Sequence, residues 1–443
     1  MPPAETRRRQ TAAITLRSLH MLEAGVVAGA VGIGELLRSL GRGREAFPHA
    51  LGRALVSLCA RLGATFIKIG QIASTRTDLL PKALCEELAK LQDRVPAFGF
   101  DRVRETVESD LGGTLESIFT EFEREPVAAA SVAQVHRAVL RDGGAEVAVK
   151  VRRPDIADKV DLDRSIMLFV ARILERVIPS LRIIGLAESI EQFADAVEHQ
   201  LHLTHEAEHN RRFTANFESD PDVAFPVLHD GLCTDSVLTM DFVHGVHERD
   251  LAERGVDVIR VVEAGMRAVC RMIFLHGFVH ADLHPGNLRF LPPGRLVLLD
   301  LGLVGELADE DRVTTARLLF ALATGDGVTV ARLFYDNSPH AAVADYAAYE
   351  RDIQEFVSSV KDKGLANLQV TLEIGRIFDI LRRHRVQAKS HMTMVNLALM
   401  TAEGLGRRLA PDLSLTDEAL PYLAEALGVA TPPGSAGSDV QSA

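Results

Sequence analysis

The most constraining feature of this sequence is the stretch FVHADLHPGNLRFLPPGRLVLLDLGLVGE, which occupies residues 278–306. Two short apolar runs joined by Pro-Pro-Gly predict a β-hairpin in the middle of this stretch. The folded hairpin returns Asp300 to the loop that carries Asp282 and Asn287. Two carboxylates and one amide then converge, which is the arrangement that phosphoryl transfer from a Mg²⁺-bound nucleotide requires.

The spacing H-x-D-x-x-x-x-N followed by D-x-G is typical of protein-kinase-like folds. In this interpretation Asp282 orients or deprotonates the attacking hydroxyl or water, while Asn287 and Asp300 hold Mg²⁺ through oxygen ligands. A surface turn with capping aspartates is the alternative. It is disfavoured because other motifs occur in the order that a kinase core requires.

A second pattern lies upstream, where two β-rich runs flank Asp142-Gly143-Gly144 and predict a hairpin. The second run ends in Val-Ala-Val-Lys, so Lys150 resembles the strand lysine that contacts the α- and β-phosphates in kinases. The position of the kinase glycine-rich loop is taken here by Ala128, Ala129, Ala130 and Ser131. Alanine adopts positive φ only at a cost, and its methyl group restricts close approach to phosphates. We therefore expect the nucleotide to be covered differently than in an ordinary kinase.

The segment Val237–Val246 (VLTMDFVHGV) is interpreted as a strand running into a hinge. In a kinase-like fold, the backbone of this hinge forms hydrogen bonds with adenine. The candidates for this contact are Met240, Asp241, Phe242 and Val243.

Charge, cysteine content and apolar runs indicate which partners and which cellular compartment to expect. A net charge of −12 argues against a general nucleic-acid binder, because a phosphate backbone would be repelled. The four cysteines are scattered, which indicates reduced thiols inside a cell. No run reaches the roughly 18 apolar residues that a membrane span needs. The apolar run Ala24–Ile33 follows several arginines, so a helix lying at a membrane surface or on the protein itself is expected. We predict a cytoplasmic protein with peripheral membrane contact.

Five ordered motifs resemble those of the UbiB/AarF family of atypical protein-kinase-like ATPases. They are the KxGQ motif at Lys68, Gly70 and Gln71, the alanine-rich loop, the strand lysine Lys150, the HADLHPGN loop at His280–Asn287, and the DLG at Asp300–Gly302. Together they span residues 60–310, which is most of a catalytic core. The late stretch MVNLALMTAEGLGRRLAPDL also resembles the C-terminal helices of the family.

The resemblance implies an α+β, two-lobed protein-kinase-like fold with extra N-terminal KxGQ helices and a helical C-terminal lobe. It also implies that the KxGQ segment packs over the active site and suppresses protein phosphorylation. The expected divisions are a basic and apolar segment at 1–45, the KxGQ extension at 46–110, an N-lobe at 111–245, a C-lobe at 246–430 and a disordered tail at 431–443.

The family usually carries an E-x-D motif followed by E-A, and here Gln200 and His202 replace the two acids. Glu206 remains and is predicted to form the ion pair with Lys150. The same run also reads His205-Glu206-Ala207-Glu208-His209, an H-E-x-x-H pattern that on a helix suggests a zinc hydrolase. Polar flanks, the lack of a metzincin-type third histidine and the kinase role of Glu206 disfavour that alternative.

The predicted function is therefore a Mg²⁺-dependent ATPase that supports isoprenoid-quinone or membrane-lipid metabolism, with ATP and a lipid or isoprenoid molecule as partners. Past Gly302 the sequence enters a helical stretch almost at once, so the activation segment of protein kinases is missing. A small-molecule phosphotransferase of the aminoglycoside or choline kinase type is the first alternative. A nucleotide-binding scaffold without turnover is the second.

Overall fold

The structure, a computed structural model, describes residues 15, 17, 19–31, 33–34, 46–74, 80, 82–91, 96–177, 186–339, 341–363 and 370–429. Contacts divide them into two compact units. The first comprises the chain through Ala207 together with Val227–Phe242, and the second comprises Glu208–Pro226 and the chain from Val243 onward. The predicted disordered tail and the arginines that precede residue 15 lie outside the described residues.

The first unit contains an antiparallel sheet with strand order β1-β3-β4-β6, and β2 pairs with β3. The strands are β1 Phe119–Phe122, β2 Ala128–Ala129, β3 Ala133–Leu140, β4 Glu146–Arg152 and β6 Val237–Asp241. The predicted turn between β3 and β4 contains Gly143 and Gly144 at φ of 74° and 66°. Both angles lie in the left-handed region that glycine adopts most readily, which explains the two successive glycines.

Buried and partly exposed side chains alternate along β4, so one face of the strand packs in the core and the other carries Lys150. Val147, Val149 and Val151 are completely buried and pack with residues of helix α5 (Phe100–Leu111). Burial of one such valine contributes about 1.5–3 kcal/mol relative to an exposed position. Because successive side chains of a strand point to opposite faces, Lys150 is directed away from this core.

The other helices of the first unit include the N-terminal helix α1, residues 19–31. They are α2 Ala46–Leu62, α3 Ala64–Ser74, α4 Lys82–Leu88, α6 Leu115–Ile118, α7 Ile156–Val177 and α8 Leu186–Leu201. Helix α9, Leu203–Asn216, follows directly.

The N-terminal helix is attached to its own unit by one face. Ala24 and Ala28 are buried, and Arg17, whose backbone is also helical, forms an ion pair of 2.6 Å with the fully buried carboxylate of Asp163. The opposite face presents apolar side chains that are at least 60% exposed, namely Leu19, Leu22, Val26 and Ile33. The alternative that places this helix on the protein itself therefore holds for the buried face, and membrane contact of the exposed face stays a prediction.

Close packing of helix α3 depends on Gly70. A Cβ atom at this position would overlap Leu91 Cδ1 and lie 3.3 Å from Cys59 Sγ. We expect Gly70→Ala to lower the free energy of unfolding by about 1–3 kcal/mol, as overpacking in a filled core does. Urea denaturation followed by circular dichroism measures this change.

Gly29 in helix α1 provides the matched control, because a Cβ there meets nothing within 4 Å. Gly29→Ala is expected to leave stability unchanged or raise it slightly, since alanine favours the helix. Equal stability of the Gly70→Ala variant and the parent would contradict the packing role of Gly70.

The second unit combines two small sheets with helices. Its strands are β5 Val223–Ala224, β7 Phe278–His280, β8 Leu288–Leu291, β9 Arg295–Leu298 and β10 Val304–Glu306. Its helices from Val258 onward are α10 Val258–Cys270, α11 Asp309–Thr324, α12 Gly327–Asp336, α13 Tyr346–Lys363, α14 Val370–Arg383, α15 Ser390–Leu409 and α16 Leu415–Leu427. Among the described helices, none is both long and apolar enough to cross a bilayer.

Candidate active site

Residues 278–306, which carry Asp282, Asn287 and Asp300, form a compact framework in the second unit. Strand β7 pairs with β10, so that His280 lies opposite Val304. Strands β8 and β9 form the predicted hairpin, with Leu288 opposite Leu298. The N–H of Leu299 donates to the carbonyl of Asn287 at 2.9 Å, which ties the end of the hairpin to the last residue of the His280–Asn287 loop.

His280 is a structural centre of this framework and is completely buried. Its Nδ1 accepts a hydrogen bond from the N–H of Asp282 at 3.0 Å, so the proton resides on Nε2, which donates to the carbonyl of Asp300 at 2.7 Å. Burial lowers the pKa of His280, and the neutral tautomer is therefore favoured. One imidazole thus fixes the backbone at both aspartates.

The three predicted phosphoryl-transfer side chains belong to this framework. Asn287 Nδ2 donates to the carbonyl of Asp282 at 3.0 Å, and Asp300 Oδ1 accepts from the N–H of Gly302 at 3.0 Å. The Asp282 carboxylate is 42% exposed, and its Oδ2 lies 3.9 Å from His284 Nε2. Asp282 is thus accessible to a substrate, while backbone hydrogen bonds orient the two proposed metal ligands.

His209 supports the DLG turn, which the sequence did not predict. Its Nδ1 donates to the carbonyl of Leu301 at 2.9 Å, and its ring lies against Phe278 at a centroid distance of 5.7 Å. The only sequence signal at this position was the H-E-x-x-H pattern, which suggested a different role.

The zinc interpretation of that pattern has no geometric support. His205 Nδ1 donates to the carbonyl of His199 at 3.2 Å, whereas His209 is engaged with Leu301. Glu206, the proposed base, is paired with Lys150. In the described part of the chain, no group of three or more histidine, cysteine, aspartate or glutamate side chains is arranged to hold a metal ion.

Lys150 and Glu206 form an ion pair in the first unit, at 2.7 Å between Nζ and Oε2. The other carboxylate oxygen lies 2.8 Å from the same ammonium. Their side chains are only 12% and 6% exposed, so the pair is largely removed from water. Sequence analysis paired these two residues, and their catalytic roles stay proposals.

The alanine-rich loop folds as a tight turn between β2 and β3. The N–H of Ala130 donates to the carbonyl of Ala133 at 2.8 Å. Arg153 also stabilises the turn, because its Nε donates to the carbonyl of Ala130 at 2.9 Å. Nothing in the sequence indicates this contact. The loop is thus held by a side-chain and a backbone hydrogen bond.

The KxGQ helix packs close to this turn. Ile69 and Ile72 of helix α3 contact a buried cluster that also takes in Val132 from the loop. Gln71 Nε2 donates to the carbonyl of Leu91 at 3.3 Å, so this amide group links helix α3 to the segment that follows helix α4. Lys68 has no ion pair with any described residue.

His202 and Gln200 stand at the two positions where the sequence departs from the expected acids, and of the two only His202 takes part in a charge pair within the described residues. His202 Nδ1 donates to Asp235 Oδ1 at 2.7 Å, and Arg152 lies 2.6 Å from the other oxygen of the same carboxylate. Desolvation raises the pKa of Asp235, but hydrogen bonds from Arg152 and His202 outweigh it and hold the pKa below its usual value. The Nε2 atom of Gln200 is buried and has no hydrogen-bond partner among the described residues.

The predicted hinge begins where strand β6 ends. The N–H groups of Asp241 and Phe242 donate to the carbonyls of Val227 and Glu146 at 2.9 and 3.0 Å. Of these three amides, only that of Val243 has no hydrogen-bond partner within the described residues.

The residues present fit a magnesium ion that arrives with a nucleotide. Mg²⁺ is usually bound by one or two carboxylates together with substrate phosphates. Asp300 and Asn287 offer a carboxylate and an amide oxygen, and their other polar atoms are fixed by Gly302 and Asp282.

Comparison with known proteins agrees with this geometry. The model of the ABC1 atypical kinase-like domain matches residues 90–334, and the model of the UbiB helical domain matches residues 353–414. A protein named probable protein kinase UbiB from Pseudomonas paraeruginosa is 35% identical over 369 residues, covering 82% of this chain and 69% of the relative.

Two further matches extend the comparison. A probable protein kinase UbiB from Tolumonas auensis is 34% identical over 397 residues, covering 87% of this chain and 72% of the relative. The solved complex of Rv3197 with erythromycin from Mycobacterium tuberculosis is 18% identical, covering 80% of this chain and 94% of that chain, with a TM-score of 0.43. The family and the kinase-like fold predicted from the sequence are confirmed, and this chain belongs to the UbiB family of ABC1 atypical kinase-like proteins.

Proposed function

We propose that this UbiB-family protein is a Mg²⁺-dependent ATPase with little protein kinase activity, which supports isoprenoid-quinone or membrane-lipid metabolism. The observation that carries the proposal is the short connection after the DLG turn. Between Gly302 and helix α11, which begins at Asp309, the described chain contains strand β10 and a brief turn. Protein kinases place their activation segment at this point, and it forms the platform for a peptide. Water or a small polar group is therefore the expected acceptor.

The proposed roles follow the contacts of each unit. Lys150, oriented by Glu206, contacts the α- and β-phosphates, and the alanine-rich loop covers the nucleotide. Asp282 orients the attacking oxygen and accepts its proton. Asn287 and Asp300 hold Mg²⁺, which would neutralise charge on the phosphates. Adenine receives a hydrogen bond from Val243, while Met240, Asp241 and Phe242 form the rest of the hinge.

An assay of phosphate release tests the proposal, with γ-labelled ATP and with or without anionic-lipid vesicles. We expect labelled inorganic phosphate and no labelled protein when generic protein substrates are added. Label in a small-molecule product would support the phosphotransferase alternative. Nucleotide binding without phosphate release would support the scaffold alternative. Strong phosphorylation of the added proteins would exclude the proposed activity.

The exposed face of helix α1 is the basis for the proposed peripheral membrane contact. Leu22 and Val26 are 69% and 67% exposed and lie one helical turn apart, so both can enter a bilayer surface together. We expect Leu22→Gln combined with Val26→Gln to weaken vesicle binding roughly tenfold, because two buried apolar contacts are lost. Co-sedimentation with anionic vesicles measures the change, and basal ATP turnover is expected to stay at the parental level.

Substitutions are preferable to removal of the whole segment, because Arg17, Ala24 and Ala28 are packed into the first unit. The control exchanges two exposed apolar residues of the second unit, Ile259→Gln with Val328→Gln. If both double variants bind vesicles equally well, the N-terminal helix is not the membrane contact.

A further inference from the structure

The helices of the second unit line a partly open apolar pocket of about 130 Å³, which we call the helical pocket. Helices α11, α13, α14, α15 and α16 each contribute to its wall, and Phe274 completes it. Aliphatic and aromatic side chains dominate this wall, including Leu322, Phe356, Ile377, Leu399 and Leu423. The residues proposed for nucleotide and metal binding are not among its lining residues, so the pocket is a separate site.

One polar side chain in this wall, that of Asn396, has no hydrogen-bond partner among the described residues. Asn396 is only 8% exposed and lines the helical pocket. Its polar atoms are not fully buried, so they are accessible where the residue lines the pocket. A ligand with a hydrogen-bonding group can therefore bond to this amide, and net gains of about 0.5–1.5 kcal/mol, which correspond to about 2- to 10-fold in affinity, are typical for one such bond.

A second polar residue lies in the same wall. Glu373 is 7% exposed and lines the pocket, while its Oε2 accepts a hydrogen bond from Arg376 Nη1 at 2.6 Å. The pocket thus combines a large apolar surface with an amide and an ion-paired carboxylate. Ligand sites commonly have this composition, in which a few polar groups orient an otherwise apolar molecule.

The volume limits the size of the occupant. An apolar protein cavity of about 150 Å³ stays dry and binds benzene, so a pocket of about 130 Å³ holds roughly one six-membered ring. Water is a poor occupant of most of this space, because an ordered water needs two to four polar partners. We propose that the helical pocket binds a small apolar molecule, or the end of a larger one, with one hydroxyl group directed at Asn396.

Benzyl alcohol and ethylbenzene test the proposal, because they differ only by a hydroxyl in place of a methyl group. Binding to the full-length protein is followed by ligand-observed NMR titration. We expect both probes to bind the parent. Asn396→Leu should weaken benzyl alcohol binding by about 2- to 10-fold, the usual effect of one hydrogen bond, while ethylbenzene affinity is retained or raised. Retained ethylbenzene binding also shows that this variant is folded.

Two further variants locate the site. Ala323 lines the helical pocket, so Ala323→Phe should fill it and abolish binding of both probes. Ala347 is exposed on helix α13, so Ala347→Phe adds the same ring elsewhere and should change neither affinity. Absence of binding to the parent at millimolar probe would overturn the proposal. An equal response of the two probes to Asn396→Leu would also overturn it, and so would unchanged binding to a folded Ala323→Phe variant.

Discussion

Asp300→Asn is expected to lower ATP turnover by about three powers of ten, because a metal contributes several kcal/mol of transition-state stabilisation and each 1.36 kcal/mol is tenfold in rate. The fold should persist. Asp300 Oδ1 accepts from the N–H of Gly302, and an asparagine oxygen can accept the same bond. The carbonyl that receives the His280 hydrogen bond belongs to the backbone and is unchanged. The variant should therefore lose a hard anionic ligand while it keeps the hydrogen bond from Gly302.

Thermal denaturation with ADP, ATP and increasing Mg²⁺ separates this effect from general damage. Without ligand, the melting temperature of the variant should match that of the parent, while the additional stabilisation by Mg²⁺ with nucleotide should be lost. Asp282→Asn is the matched control. It should reduce turnover by about 10²- to 10⁴-fold yet keep the Mg²⁺-dependent shift. A parental shift in Asp300→Asn would rule out the assigned role.

The motifs themselves were predictable because each depends on short-range sequence. The β8–β9 hairpin, with Leu288 opposite Leu298, follows from two apolar runs around a Pro-Pro-Gly turn. The position of Lys150 on a strand follows from a β-branched run after two glycines. In both cases the residues that decide the conformation are neighbours in the chain, so local propensity and tertiary structure agree.

Contacts between distant residues could not be predicted in this way. Arg17 and Asp163 are 146 positions apart, and nothing in either segment identifies the other. The same limit explains His209, whose imidazole bonds to Leu301, 92 positions later. The H-E-x-x-H spacing suggested zinc, which the flanking sequence and the role of Glu206 disfavoured, but neither identified the contact that His209 makes. The structure instead assigns it to the backbone of the DLG turn.

Burial was the other quantity that the sequence left undetermined. Asn396 occurs in an ordinary helical stretch, and only the packing of five helices makes its amide a wall of the helical pocket. The N-terminal run of small and apolar residues likewise gave no sign of which face would be covered. Ala24 and Ala28 turned inward, a spacing of four that places them on one helical face, while the larger Leu22 and Val26 stayed outside.

The Lys150–Glu206 pair allows stability and catalysis to be separated, since its charges affect both. Lys150→Met should destabilise the protein by about 3–5 kcal/mol, because it removes the ammonium that faces a buried carboxylate. Replacing both partners, Lys150→Met with Glu206→Leu, leaves two apolar side chains of similar length. Such exchanges of buried ion pairs are often neutral or stabilising, so the double variant should regain the stability of the parent to within about 1 kcal/mol.

ATP turnover of the double variant should stay low although its stability recovers. This difference separates a catalytic role of the ion pair from a structural one. If Lys150 contacts the α- and β-phosphates, the double variant lacks that contact however well it folds. Urea denaturation and phosphate release, measured on the parent, both single variants and the double variant, complete the cycle. A stable double variant with parental ATP hydrolysis would show that the ion pair is structural. A stable double variant without hydrolysis would show that the charges of Lys150 and Glu206 act on the nucleotide, because the apolar replacements would then supply the stability that the ion pair provides in the parent.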